Sequence, residues 1–278
     1  MDCYNLQIGS AVCGFRVRDR RLYEWFVEYF MAPSSERGPD ACIDIRLMEP
    51  SPVEAVPDSF FQSKRMKGRR FWMEGGLIRG RFGFGSSRIT MLLHPVMVES
   101  DASRVFEQSL YQVYFSMLGN SALTAPLIHS SGVIRDGKGF LFLGPSEAGK
   151  STVASLSSQY SVINDEITIA DFTGAVPMLV STPFNGLFRT KAVGSAPLAG
   201  IFVLEKSPDD RIEPLSQSAA IRPVADQIIP LVPLGKPMTA EAYFTQLDVA
   251  AALHSRVPVY KLMFTKSPRF WGTISGIL

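Results

Sequence analysis

Cysteine is scarce: Cys3, Cys13 and Cys42 are the only three in 278 residues, too few and too scattered for a disulfide framework or a thiolate metal site. Histidine is equally scarce, and His94 and His254 have no companions at ligand spacing. No apolar run approaches the length that spans a bilayer. The first residues, Met1 to Asn5, lack the basic and apolar segments of a signal peptide. A cytoplasmic protein with no membrane partner is therefore expected. The net charge of +2 gives no general reason to invoke nucleic acid. A guanine-reading N-K-x-D sequence is also missing, which argues against a GTPase switch. What remains, 46% hydrophobic and 19% charged, is the composition of a globular chain with room for one large domain or two modest ones.

One segment carries most of the chemistry. Gly144-Pro145-Ser146-Glu147-Ala148-Gly149-Lys150-Ser151-Thr152 contains G-x-x-x-x-G-K-[ST]. The apolar run 139–143 before it reads as a buried strand, and 152–158 after it reads as a helix. That order aims backbone N–H groups at one point, so Gly144 to Thr152 is the expected cradle for nucleotide phosphates. Lys150 is expected to reach the β- and γ-phosphates, and the Ser151 hydroxyl to ligate Mg²⁺. The other reading of the segment is a glycine-bearing structural turn.

Residues 1–120 read as an N-terminal α+β region for recognition or scaffolding. Strands are expected at Tyr4–Ile8, Val12–Val17 and Ala41–Leu47, the last alternating apolar and polar residues. Arg21–Met31 has helical spacing of Leu22, Trp25, Phe26 and Phe30. Segments 71–74, 77–82 and 88–94 read as an antiparallel meander turning at Gly75-Gly76 and Gly83–Gly85, and 102–118 as a second helix. The dense basic run 64–70 adjoins Phe71 and Trp72, a pairing seen on nucleic-acid surfaces. A solvated loop is the plainer reading, and an acidic peptide or protein fits as well as nucleic acid, which is not expected.

Residues 121–278 read as the nucleotide-binding catalytic domain. Strand 127–134 turns through Arg135-Asp136-Gly137-Lys138 into the strand feeding the loop. The common doubly wound nucleotide folds use crossovers there instead. Residues 161–169 read as one strand with Asp165 and Glu166 in its middle, acids suited to a second Mg²⁺ ligand beside the phosphates. Further strands are expected at 199–204 and 257–264, and a helix at 240–255.

Residues His129 to Glu166 resemble the core of HPr kinase/phosphorylase and its relatives, whose catalytic domain is similar to PEP carboxykinase. The resemblance rests on a strand histidine, a hairpin, the phosphate loop and paired acids, with 150 − 129 = 21 residues from His129 to Lys150. Later stretches, Thr182-Pro183-Phe184, 201–205 and 258–262, resemble small HPr-kinase-like proteins of peptide-modification gene clusters. The resemblance implies a mixed α/β fold with a PEP carboxykinase-like P-loop core. It implies an ATP- and Mg²⁺-dependent phosphotransferase acting on a hydroxyl, a serine of a protein or peptide. Asp165, His129 and Lys150 would be catalytic, with Ser151, Asp165 and Glu166 on the metal. Apart from the resemblance, Arg189 and Lys191 are candidates for neutralising charge on the γ-phosphate. His129 also reads as a core histidine, Asp165 as a structural cap, and Arg189 and Lys191 as part of a solvated loop.

Two positions depart from the family pattern. Glu147 stands where a glycine is usual, and Asp165-Glu166 where Asp-Asp is usual. A non-catalytic nucleotide-binding module and a small-molecule kinase of the same fold are the alternatives. Whether the chain forms a homo-oligomer is left open by the sequence.

Overall fold

The computed structural model describes residues 2–30, 35–49, 62–65, 70–74, 78–83, 88–95, 103–186, 191–232 and 237–277. The fold is mixed α/β, and the chain divides into two compact units, Met1–Ala122 with Leu231–Met238, and Leu123–Pro230 with Thr239–Leu278. No described helix is long and apolar enough to cross a membrane.

In the first unit, β1 (Asp2–Ile8), β2 (Ala11–Val17), β3 (Ala41–Leu47), β4 (Gln62–Arg65), β5 (Arg70–Glu74), β6 (Ile78–Gly83) and β7 (Arg88–Leu93) form one sheet in the order β1-β2-β3-β7-β6-β5-β4. Helix α1 (Arg20–Phe30) links β2 to the parallel β3. Its apolar stripe buries Leu22, Phe26 and Phe30. Phe26 stacks on Phe15 of β2 and meets Phe106 of helix α2 (Ser103–Leu118) edge-on, with centroids 5.0 and 5.1 Å apart. This aromatic contact joins both helices to the sheet. The basic run is not simply a loop: it begins in β4 and ends in β5, and its centre, 66–69, lies outside the described residues. The turn at Gly75-Gly76 and most of that at Gly83–Gly85 lie outside them as well.

The second unit holds β8 (Leu127–Arg135), β9 (Lys138–Leu143), α3 (Lys150–Leu156), β10 (Ser161–Asn164), β11 (Ile167–Asp171), β12 (Met178–Val180), β13 (Ser195–Lys206), β14 (Arg211–Pro214), α4 (Gln217–Ala225), α5 (Ala240–His254), β15 (Val259–Phe264) and α6 (Phe270–Ser275). β8 and β9 form the expected hairpin, and Asp136 and Gly137 both take positive φ, 51° and 74°, as a type I′ turn requires. The pairings β8–β11–β12–β13–β9–β8 close a circuit, while β15 lies parallel to β13 and carries β14 beyond it.

β9 is buried on both faces, which is why its sequence is a continuous apolar run. Leu141 and Leu143 pack with Val224, Val249 and Leu253 from α4 and α5. Phe140 and Phe142 pack on the opposite side with Val153 of α3 and Phe270 and Trp271 of α6. The strand that leads to the glycine-containing loop is therefore held between two apolar layers.

One expected strand proves to be two. β10 and β11 both pair with β8, but Asp165 and Glu166 form a bend between them. Asn164 causes the break. Its Oδ1 accepts the amide hydrogens of Glu166 at 2.8 Å and Ile167 at 3.2 Å, replacing ladder bonds with a local side-chain turn.

Candidate functional site

The site begins where β9 ends. Residues 144–149 turn from Leu143 into α3, with Ala148 N donating to Pro145 O at 3.1 Å and Val153 N to Gly149 O at 2.9 Å. Gly149 has φ 111°, and a Cβ there would lie 2.7 Å from Cζ of Phe264. Both the backbone conformation and the aromatic neighbour thus require glycine at the loop's exit. Glu147 takes φ 66° although it is not glycine, and its side chain is exposed. Pro145 and Ser146 are exposed too, while Ser151 and Thr152 are half-buried on the first turn of α3.

Lys150 is only 7% exposed. Its ammonium donates to the carbonyls of Gly144 at 2.7 Å and Pro145 at 3.2 Å, folding the side chain back beneath the loop. Burial pushes its pKa below the ordinary lysine value, and the negative charge of Glu166 opposes part of that shift.

Glu166 connects Lys150 to the third expected residue. Its Oε2 lies 3.7 Å from Nε2 of His129, and both side chains are about one-third exposed, 31% and 34%. β8 supplies His129, whose strand register places it opposite Ile167, directly after the acid pair. Ser130 N donates to Glu166 O at 3.0 Å, so the backbone of the bend is fixed to β8 as well. Glu166 from the bend and His129 from β8 are thus brought side by side, and the charge of Glu166 is felt by Lys150 of α3.

Asp165 is held differently. It is 1% exposed, and Gly186 packs against it so closely that a Cβ on the glycine would fall 2.1 Å from Asp165 Oδ1. The covering segment is anchored by Asn164, whose Nδ2 donates to Thr182 O at 3.2 Å, Thr182 Oγ1 at 3.1 Å and Phe184 O at 2.8 Å. Lys191 adds a hydrogen bond to Phe184 O and another to Asn185 Oδ1 at 3.2 Å. Lys191 therefore braces the segment over Asp165. Arg189 lies outside the described residues. Sequence reading missed Asn164 and Gly186. The Asn-Asp pair was an available turn signal for the first; nothing local marks the second, whose role comes from a neighbour 21 positions away.

Among the described residues, no three His, Cys, Asp or Glu side chains gather into a metal cage. A nucleotide-bound Mg²⁺ does not need one, because it takes one or two carboxylates and completes its shell with phosphate oxygens and water. The half-buried Ser151 hydroxyl and the accessible Glu166 carboxylate are oxygen donors of that kind.

Fold and site together define a mixed α/β protein with a glycine-containing strand–loop–helix turn set beside a lysine–glutamate–histidine cluster. The chain belongs to the SynChlorMet cassette protein ScmC family, whose model matches residues 93–278. No curated protein matches it. Among solved structures, the HPr(Ser) kinase/phosphatase from Coxiella burnetii is similar over 50% of this chain and 85% of that one, with 12% identity and a TM-score of 0.27. A likeness at that score carries no argument about chemistry.

Proposed function

We propose that the chain is an ATP- and Mg²⁺-dependent phosphotransferase that acts on a hydroxyl, a serine of a protein or peptide. The observation that carries this reading is the glycine-containing strand–loop–helix turn that ends β9, with buried Lys150 opening its helix and the Glu166–His129 pair held on the neighbouring β8 side. Phosphoryl transfer needs positioning and charge stabilisation more than covalent participation by the protein. In this reading, the backbone of Gly144 to Thr152 cradles the phosphates, within the PEP carboxykinase-like core that the sequence resembles. Lys150 exchanges its bonds to the loop carbonyls for bonds to the β- and γ-oxygens. Ser151 would hold Mg²⁺, with Asp165 as its carboxylate ligand once the segment 182–186 moves aside, and the metal would offset charge on the transferring group.

A general base must come within hydrogen-bond reach of the hydroxyl it deprotonates. Asp165 is enclosed by Gly186, whereas Glu166 is accessible and has His129 beside it. We therefore place proton acceptance on Glu166 in this arrangement, with His129 orienting its carboxylate. Asp165 takes that role only if the segment 182–186 moves aside. Arg189 stays a candidate for offsetting charge on the γ-phosphoryl group. The test is transfer of label from γ-labelled ATP to serine-bearing peptides and proteins, with and without Mg²⁺. Labelled acceptor that disappears with chelator is the expected result; tight ATP binding with no labelled product under any condition would sink the enzyme reading.

A second reading, a nucleotide-binding module without turnover, is favoured by one observation. Lys150 is satisfied by the loop's own carbonyls, and Glu147 occupies a loop position with positive φ. The same assay separates the two readings.

A further inference from the structure

A cleft of about 330 Å³ opens beside Gly149, at the loop's exit into α3. Gly149 and Thr152 form one wall, Lys206 and Ser207 another, and Phe264 and Lys266 a third. These residues come from the carboxyl ends of β9, β13 and β15, which run parallel to one another in register: Leu143 opposite Val203, and Lys206 opposite Phe264. On the other flank of β9, Ser130 of β8 lies opposite Leu143, next to His129. The loop therefore stands between a reactive cluster on the β8 side and a cleft on the β13 and β15 side.

That order gives a bound nucleotide a direction. Glu166 and His129 lie on the β8 flank of the loop, where Ser130 N donates to Glu166 O, so the β- and γ-phosphates would face β8. The α-phosphate and nucleoside must leave on the opposite side, past Gly149 and Thr152. Two lysines of the cleft, Lys206 and Lys266, are exposed and suited to the phosphate end. Phe264 supplies an apolar surface. Several polar groups at or beside the cleft are already engaged. Ser207 N donates to Phe264 O at 3.1 Å, Ser207 Oγ accepts from Asp209 N at 3.2 Å, and Thr265 N donates to Asp210 Oδ1 at 2.6 Å. Pro208 has no N–H.

Resting on the nucleotide-binding reading above, we infer that this cleft takes the nucleoside end of the nucleotide and does not distinguish adenine from guanine. Strong rejection of one base would require fixed polar groups left unpaired by the wrong one, whereas the polar side chains lining the cleft are rotatable hydroxyls and flexible lysines.

The experiment titrates the full chain with inorganic tripolyphosphate, ATP and GTP, and repeats each titration on Ser207→Trp, which fills the cleft. ATP and GTP should bind within about threefold of each other and roughly tenfold or more tighter than tripolyphosphate. Ser207→Trp should bring both nucleotides down to the tripolyphosphate level while leaving tripolyphosphate unchanged. Independently of that variant, 8-azido-ATP and 8-azido-GTP should both label the wild-type chain within 206–208 or 264–266. Tripolyphosphate binding as tightly as ATP, labelling elsewhere, or a preference of more than about tenfold for one base overturns this inference alone. If neither tripolyphosphate nor either nucleotide binds, the phosphate-loop reading fails and this inference falls with it.

Discussion

Gly186 covers the carboxylate of Asp165, leaving a gap into which a methyl group cannot fit: a Cβ on the glycine would lie 2.1 Å from Oδ1. The expected consequence of Gly186→Ala is displacement of the segment 182–186, because Asn164 fixes the other side of the same bend. Overpacking of this kind costs about 1–3 kcal/mol. Urea denaturation should show that loss, and turnover should change as Asp165 becomes more accessible. A variant with wild-type stability would mean that the segment already moves freely.

The two acids should respond differently to neutralisation. Glu166→Gln should lower phosphoryl transfer by roughly 10²- to 10⁴-fold with nucleotide affinity largely kept, as expected of a lost general base. Asp165→Asn should alter stability more than turnover, given its enclosure. Measuring Mg²⁺ dependence, nucleotide affinity and turnover on both variants decides the roles. The reverse pattern would return the base role to Asp165 and require the covering segment to open during catalysis.

Asn164 is expected to be the principal structural residue of the site. Asn164→Ala removes the acceptor of two amide hydrogens and the donor to three oxygens of 182–184, in a residue 1% exposed. Leaving such buried groups without partners costs on the order of 1–3 kcal/mol. Amide exchange should rise selectively at Glu166 and Ile167. If those amides stay protected, the side chain does not hold the bend.

Much of this was readable from the chain, for a physical reason. The hairpin at Asp136-Gly137 has turn residues that tolerate positive φ, and β9 has the apolar run of a strand buried on both faces. The break at 165–166 was missed because 161–169 has the apolar pattern of one strand, while the decisive bonds come from a single asparagine side chain. Helix α4 was missed because Pro223, inside it, reads as a breaker. The resemblance implied His129 beside an acid of the pair and put the catalytic role on Asp165, whereas His129 lies beside Glu166 and the enclosure of Asp165 by Gly186 has no sign in the sequence. That contact depends on how a loop returns over the sheet.

Lys150 should bear on binding and on the pH dependence of stability. Lys150→Ala should abolish productive triphosphate binding, a loss on the order of 2–4 kcal/mol. Lys150→Met, of similar length, should lose binding too, with stability at neutral pH changed by no more than about 1 kcal/mol, because relief of the buried charge is offset by loss of the bonds to Gly144 O and Pro145 O. Burial lowers the lysine's folded pKa, so the unfolded state binds the proton more readily and wild-type stability rises as pH climbs from the folded value towards 10.5. The methionine variant should lack that rise. Denaturation curves across alkaline pH test this; parallel profiles for the two proteins would contradict it.

Glu147 decides whether the loop is compromised. Its exposed carboxylate, if turned inward to ~6 Å from a phosphate charge, would oppose binding by roughly 3 kcal/mol at an effective dielectric near 20. An exposed side chain escapes most of that repulsion, and the loop can present its N–H groups with the acid turned to solvent. Glu147→Gly should therefore change ATP affinity by less than about threefold. Its effect on stability should be small and on the favourable side, within about 1 kcal/mol, because relief of a left-handed φ of 66° is largely offset by the greater freedom of glycine in the unfolded chain. Titration and denaturation of the same variant read both quantities. A sharp gain in ATP affinity would show that glutamate weakens the native loop and would favour the binding-module reading over the kinase.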